Sequence, residues 1–280
     1  MKSTTKILTI DEIKELENTL QTNNFSKINI PHSIFGYKLN DGAIIAYKSL
    51  KVVFQGDQAQ TYIINDPKQY ISHAGSDEVG SGDYFGPLVV AAMIYDEKVA
   101  NLNLNLVDSK QITDQQIYKI APILLKNAKY SLQILDNKKY NQLQPKLNLN
   151  GLKANLHQHC YYLLTKKYQQ ALPTTCIVDQ FVDKNKYYKY LINNYGILDL
   201  EFHTKAENKY PAVAGAAIIA RYAFLNYLNN MSKKYNFQFP KGAGANVDLA
   251  IQNFINKYNY KMLEEVAKIN FKNTKIIERF

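Results

Sequence analysis

Four carboxylates stand where apolar runs of this chain begin or end. Asp77 and Glu78 are adjacent in "GSDEVGSGDYFG", just ahead of "PLVVAAMIY". Asp179 closes "CIVD", and Glu207 lies in "TKAENKYP", immediately before an alanine-rich stretch. An apolar strand that ends in an acid loses stability unless the acid is solvated, paired or bound to a cation. If these segments are neighbours, the four acids converge on one sheet edge. Their mutual repulsion then raises at least one pKa unless a divalent ion sits among them. Oxygen donors alone suit Mg²⁺ or Mn²⁺ rather than zinc. The chemistry such a set supports is two-metal phosphodiester hydrolysis, one ion activating water and the other stabilising the leaving oxygen. Each acid taken singly also has an ordinary use. Asp179 can cap a helix in "DKNKYYKYLI", and Glu207 can favour the positive end of the helix that follows it.

Glycines surround the first pair. Gly80, Ser81 and Gly82 give a backbone whose N–H groups can approach a phosphate or a sugar hydroxyl closely. With Gly86 the spacing is G-x-G-x-x-x-G, one residue too long for a dinucleotide fingerprint. No G-K-[ST] phosphate loop occurs, and a tight turn between two strands is the simpler use. Lys205 and Lys209 flank Glu207, and Lys241 lies in "PKGAG"; each suits either solvation or contact with a substrate backbone. His157 and His159 are two apart on an expected helix, about 200° around its axis, so they do not share a ligand face. His203 lies near Glu207, and the tyrosines at 161, 162 and 168 have helical spacing that reads as packing.

The elements that would carry these residues follow from periodicity. Ile7, Ile10, Ile13, Leu16 and Leu20 recur at threes and fours and predict one amphipathic helix. Asn40-Asp41-Gly42 between apolar runs predicts a hairpin. The first segment therefore reads as a helix and a three-stranded meander, extended by "TYIIN" and ending near Asp66-Pro67. Beyond it, "PLVVAAMIY", "YSLQILD" and "TTCIVDQF" read as strands. Helices are predicted over "TDQQIYKIAPILLKN", with a break or kink at Pro122, over "GLKANLHQHCYYLLTKKYQQAL", and over the stretch from Pro211. This order argues for an α/β mixed sheet flanked by helices, preceded by a small α+β domain. The expected domains are residues 1–66 and 67–280.

The chain has 280 residues and 46% hydrophobic content, which excludes wholesale disorder. Nothing in the sequence suggests an uninterrupted apolar run of about 18 residues. The N-terminus carries acids where a signal peptide needs an apolar core. The two cysteines, Cys160 and Cys176, match no metal spacing. A cytoplasmic protein is the expectation, a monomer without membrane attachment or organic cofactor. The net charge of +10 favours a polyanionic partner such as nucleic acid. It is unevenly spread: residues 1–65 hold 7 lysines and 6 acids, so nearly all the excess lies beyond them. A composition rich in Asn, Lys, Ile and Tyr can also accumulate lysine without any binding role.

"GSDEVGSGDYFGPLVVAA" closely resembles the signature of type 2 ribonucleases H, and its "GDYFGP" resembles the HIII subgroup. "LVDSKQIT", "IVDQF", "FHTKAENKYPAVAGAAIIAR" and "FPKGAGANVD" are similar to further blocks of that family, in the same order. "YKSLKVVFQG" is similar to the subgroup's TBP-like N-terminal domain, which holds substrate. The resemblance implies an endonuclease that cleaves the RNA strand of RNA/DNA hybrids with Mg²⁺ or Mn²⁺, leaving 5′-phosphate and 3′-hydroxyl ends. It implies metal-binding and catalytic roles for Asp77, Glu78, Asp179 and Glu207. It also implies that Gly80, Ser81 and Gly82 read ribose 2′-hydroxyls, with Lys205 and Lys241 as further substrate contacts. Ser81 stands where HII enzymes carry a basic residue, which argues against efficient cutting at a single embedded ribonucleotide.

Overall fold

A computed structural model of the chain describes residues 3–23, 25–63, 71–104, 106, 112–197 and 199–277. The chain divides into two compact units, Met1–Tyr70 and Ile71–Phe280. The expected boundary at residues 66 and 67, and most of "LVDSKQIT", lie outside the described residues.

The first unit is an antiparallel sheet with strand order β1-β5-β4-β3-β2. Its strands are β1 (Ser3–Ile7), β2 (Ser26–Lys27), β3 (Ser33–Lys38), β4 (Ala43–Tyr47) and β5 (Lys51–Gln55). Helix α1 (Ile10–Thr22) starts at a capping box, in which Thr9 and Glu12 each satisfy the other's backbone N–H. Its Ile13, Leu16 and Leu20 pack on Phe35, Tyr37, Ile44, Val52 and Phe54 of the sheet. The Asn40-Asp41-Gly42 hairpin is present, with Lys38 opposite Ala43 and the Leu39 N–H donating to Gly42 C=O at 2.9 Å. Two expectations are corrected. Ile7 belongs to β1 rather than to the helix and is 74% exposed, because the Thr9 cap begins the helix after it. The residues after β5 form a short helix, α2 (Asp57–Gln60), and Thr61 and Tyr62 continue as a turn rather than as strand.

The second unit is built on a sheet of order β10-β9-β6-β7-β8. The strands are β6 (His73–Val79), β7 (Leu88–Tyr95), β8 (Lys129–Leu135), β9 (Thr175–Asp179) and β10 (Leu200–His203). β6, β7 and β8 are antiparallel neighbours, whereas β9 runs parallel to both β6 and β10. The sheet is therefore mixed. β7 is buried along nearly its whole length, as its unbroken apolar run requires when both faces are covered.

The helices are α3 (Glu97–Ala100), α4 (Asp114–Asn127), α5 (Asn137–Leu143), α6 (Leu149–Tyr168), α7 (Lys184–Tyr190), α8 (Pro211–Lys234), α9 (Ala245–Tyr258), α10 (Leu263–Val266) and α11 (Lys272–Ile277). Pro122 is accommodated inside α4, which runs unbroken. One face of the sheet takes α6, whose Ala154, Cys160, Tyr161 and Leu164 meet Ala74, Val90, Ala92 and Val178. The other takes α8, which starts with Pro211 in its first turn and lies unusually close. A Cβ on Gly75 would collide with the backbone of Val213, and one on Gly215 with the Met93 side chain. By length and composition alone α8 could cross a membrane, yet 61% of its most apolar window is buried inside the unit. Here it is the central core helix. Both cysteines are free and buried, and burial pushes each thiol up to about 12.

Candidate active site

Asp77 and Glu78 lie within β6 itself rather than in the glycine turn, so strand alternation sends them to opposite faces. Gly75, two residues before Asp77, abuts Val213 of α8, which places Asp77 on the α8 face. Ser76, two residues before Glu78, meets His157 of α6, which places Glu78 on the other. β9 repeats the pattern beside it. Ser76 is in register with Val178, so Asp179 follows at the same sheet edge as Asp77. Ile177, two residues before Asp179, packs with Val213 on the α8 face.

Glu207 reaches this edge from a 3₁₀ turn, Ala206–Asn208, between β10 and α8. The turn is tied to β9 by the Ala206 N–H, which donates to Asp179 Oδ1 at 2.8 Å. Asp179 therefore anchors the segment that delivers Glu207, and Asp183 rather than Asp179 caps α7. Glu207 is only 2% exposed. Asp77 shows the electrostatic result: burial first, then the charges of Glu78, Asp179 and Glu207, push its carboxyl well above the usual carboxylate range.

Glu78 has a different environment. One carboxylate oxygen pairs with Lys153 Nζ, and the other accepts from His157 Nε2 at 3.0 Å. Burial opposes its charge, but His157 and Lys153 together outweigh that and hold its carboxyl below the ordinary value. His157 Nδ1 in turn lies 2.8 Å from Ser76 Oγ, and its ring stacks on Phe181 at 5.4 Å. Three of the expected acids thus share the α8 face, while the fourth is held on the α6 face and acts on Asp77 through its charge. Among the described residues, no three His, Cys, Asp or Glu side chains already stand at ligand spacing around one point. By donor type and charge, however, Asp77, Asp179 and Glu207 fit a hard cation, which would relieve the repulsion that Asp77 records.

The turn after β6 exposes Gly82 and leaves Ser81 half-buried, and a Cβ on Gly82 would meet nothing within 4 Å. Gly80 and Gly86 have φ of +89° and +86°, which lets the chain reverse there. Lys205, with φ of 54°, and Lys209 are exposed on either side of Glu207. Lys241 Nζ is in an ion pair with Asp114 at 2.5 Å, and Asp114 also binds Arg221. His203 is beside Asp179 in register and contacts Glu201 and Tyr210.

Sequence reasoning passed over Lys153 and weighed His157 only as a metal ligand beside His159. The i,i+4 spacing of Lys153 and His157 on α6 was the available signal, and their shared partner 75 or more residues away was not. Asp83 is explained as well: its carboxylate accepts from the Gly242 N–H at 2.6 Å, so it fastens a neighbouring loop.

Comparison with known proteins places this arrangement. Residues 74–274 match the family model described as Ribonuclease HII, and residues 6–64 match one described as a domain of unknown function, DUF3378. A Ribonuclease HIII from Bacillus mycoides is 40% identical over 270 residues, 86% of either chain. One from Enterococcus faecalis is 35% identical, covering 94% of this chain and 93% of the relative. The crystal structure of Bst-RNase HIII in complex with Mn²⁺ superposes with a TM-score of 0.71 at 32% identity, over 100% of both chains. The chain belongs to the ribonuclease HIII family and is a ribonuclease H, a phosphodiester-hydrolysing endonuclease.

Proposed function

We propose that this chain cleaves the RNA strand of RNA/DNA hybrids with two divalent ions, leaving 5′-phosphate and 3′-hydroxyl ends. The observation that carries the reading is the gathering of Asp77, Asp179 and the turn bearing Glu207 at one sheet edge, where β6 runs on into the Gly80-Ser81-Gly82 turn. Asp77, Asp179 and Glu207 would hold Mg²⁺ or Mn²⁺. The Bst relative's capture with Mn²⁺ supports such ions. When bound, these ions supply an ionised water at neutral pH and stabilise the departing oxygen. Glu78 sets the field at Asp77 while Lys153 and His157 hold its side chain in place.

The remaining steps belong to the chain's own groups. The backbone N–H groups of the Gly80-Ser81-Gly82 turn approach a ribose 2′-hydroxyl, the group that distinguishes RNA from DNA. Lys205 lies beside Glu207 and meets a backbone phosphate. The ammonium of Lys241 is engaged by Asp114, so that segment contributes through its backbone. The first unit, residues 1–66, holds substrate through the sheet face opposite α1.

The test uses three 5′-labelled substrates: a hybrid, a DNA duplex, and a DNA duplex with one ribonucleotide. Each is incubated with Mg²⁺, Mn²⁺ or EDTA. Metal-dependent hybrid cleavage with little cutting at the lone ribonucleotide is expected. Cleavage of pure DNA duplex would overturn the ribose-reading role of the turn, and hybrid cleavage in EDTA would overturn the metal role of the acids.

A further inference from the structure

The tip Ser81–Gly82, with Gly82 exposed and Ser81 half-buried, belongs to a turn fastened by residues far along the chain. Gly86 N–H donates to Val266 C=O at 3.0 Å, and Lys268 N–H donates to Tyr84 C=O at 2.9 Å. Between them Phe85 and Ala267 form an isolated antiparallel bridge. The Tyr84 hydroxyl lies 2.9 Å from Thr274 Oγ1. At the centre is Lys268, whose side chain is entirely buried. Its ammonium donates to the carbonyls of Asp83, at 2.8 Å, and Gly86, at 2.5 Å, bridging the two ends of the Tyr84-Phe85 segment.

A lysine is costly to bury, and a methionine would fill similar space without that cost. What methionine cannot supply is a pair of donors. Asn137 Nδ2 also donates to Gly86 C=O, at 2.8 Å, so the Asp83 carbonyl depends more heavily on Lys268. Asp83 adjoins the tip directly and binds Gly242 through its carboxylate. The other groups facing the ammonium are the Asp83 charge and the Tyr140 ring, 5.7 Å away.

We propose that Lys268 is a positioning residue for the substrate-reading tip: it touches no substrate and fixes where the Ser81–Gly82 backbone stands. The inference rests on the reading of that tip given under Proposed function. It makes the segment from Val266 to Thr274 part of hybrid recognition although it lies behind the turn.

The test compares full-length wild type with Lys268→Met and Thr274→Val. Thermal unfolding is recorded first, then hybrid affinity by fluorescence anisotropy in EDTA, then kcat and KM with Mn²⁺. Lys268→Met is expected to unfold cooperatively, to bind hybrid about tenfold more weakly and to raise KM similarly, with kcat within about threefold of wild type. Thr274→Val is expected to shift affinity in the same direction by a smaller factor, and it serves alone if Lys268→Met does not fold. Unchanged hybrid affinity in the folded variants overturns the proposal, as does a loss of kcat at unchanged KM. Wild type that neither binds nor cuts hybrid would instead sink the parent reading of the site.

Discussion

The environment of Asp77 opposes its charge through burial and through the neighbouring carboxylates of Glu78, Asp179 and Glu207. Its folded-state pKa is raised, so the folded protein binds its proton more tightly than the unfolded chain does. Stability from this group is therefore present at low pH and is lost as pH rises from the ordinary carboxylate value through the raised one. Asp77→Asn is expected to melt at a higher temperature than wild type at pH 7 in EDTA, yet to lose metal-supported hydrolysis. A lower melting temperature would mean that Asp77 is already compensated. Lys268 gives a second dependence, of opposite sign. Burial depresses its pKa to about 7 from the ordinary lysine value of 10.5, so between those values the unfolded chain binds the extra proton. Stability should rise with pH across that window, by at most about 1.4 kcal/mol per unit. Denaturant titrations at pH 7.5 and 9 would show this slope in wild type and its reduction in Lys268→Met.

Helix α8 brings Glu207 to Asp77 because Gly75 and Gly215 let it approach the sheet. Gly75→Ala is expected to cost about 1–3 kcal/mol through overpacking and to lower kcat, since the turn holding Glu207 must move with the helix. A variant with wild-type stability and kcat would show that this close approach is dispensable. Much of this arrangement was legible in the sequence: the strand ending at Asp179, the proline that opens α8, and the apolar run of β7. The misreadings have physical causes. In "HAGSDEVG" the glycines and acids look like a turn, yet Gly75 is there to admit α8 and the acids alternate across β6. Ile7 fits a helical face by spacing, but the Thr9 cap excludes it. Nothing local distinguishes Lys268 from its exposed neighbours, because its burial is decided by a turn 182 residues earlier.

The two units differ in charge character. In the first, α1 covers one face of the sheet, and strand register places Lys38 and Lys51 on the other, both exposed. A nearly neutral total therefore conceals a basic face. Lys38→Glu with Lys51→Glu is expected to raise KM for hybrid and leave kcat nearly unchanged. The salt dependence of binding should become shallower by about 0.7–0.9 in log–log slope per phosphate contact removed. An unchanged slope would exclude that face from binding. The fastening of Asp83 by Lys268, 185 residues apart, also has a kinetic side. A contact between such distant positions closes only after the chain between them has ordered, so it forms late. On refolding from denaturant, helical signal should return first and hybrid cleavage should lag behind it. The protein would then pass through a stage in which the carboxylate edge exists but the turn proposed to read ribose is not yet set.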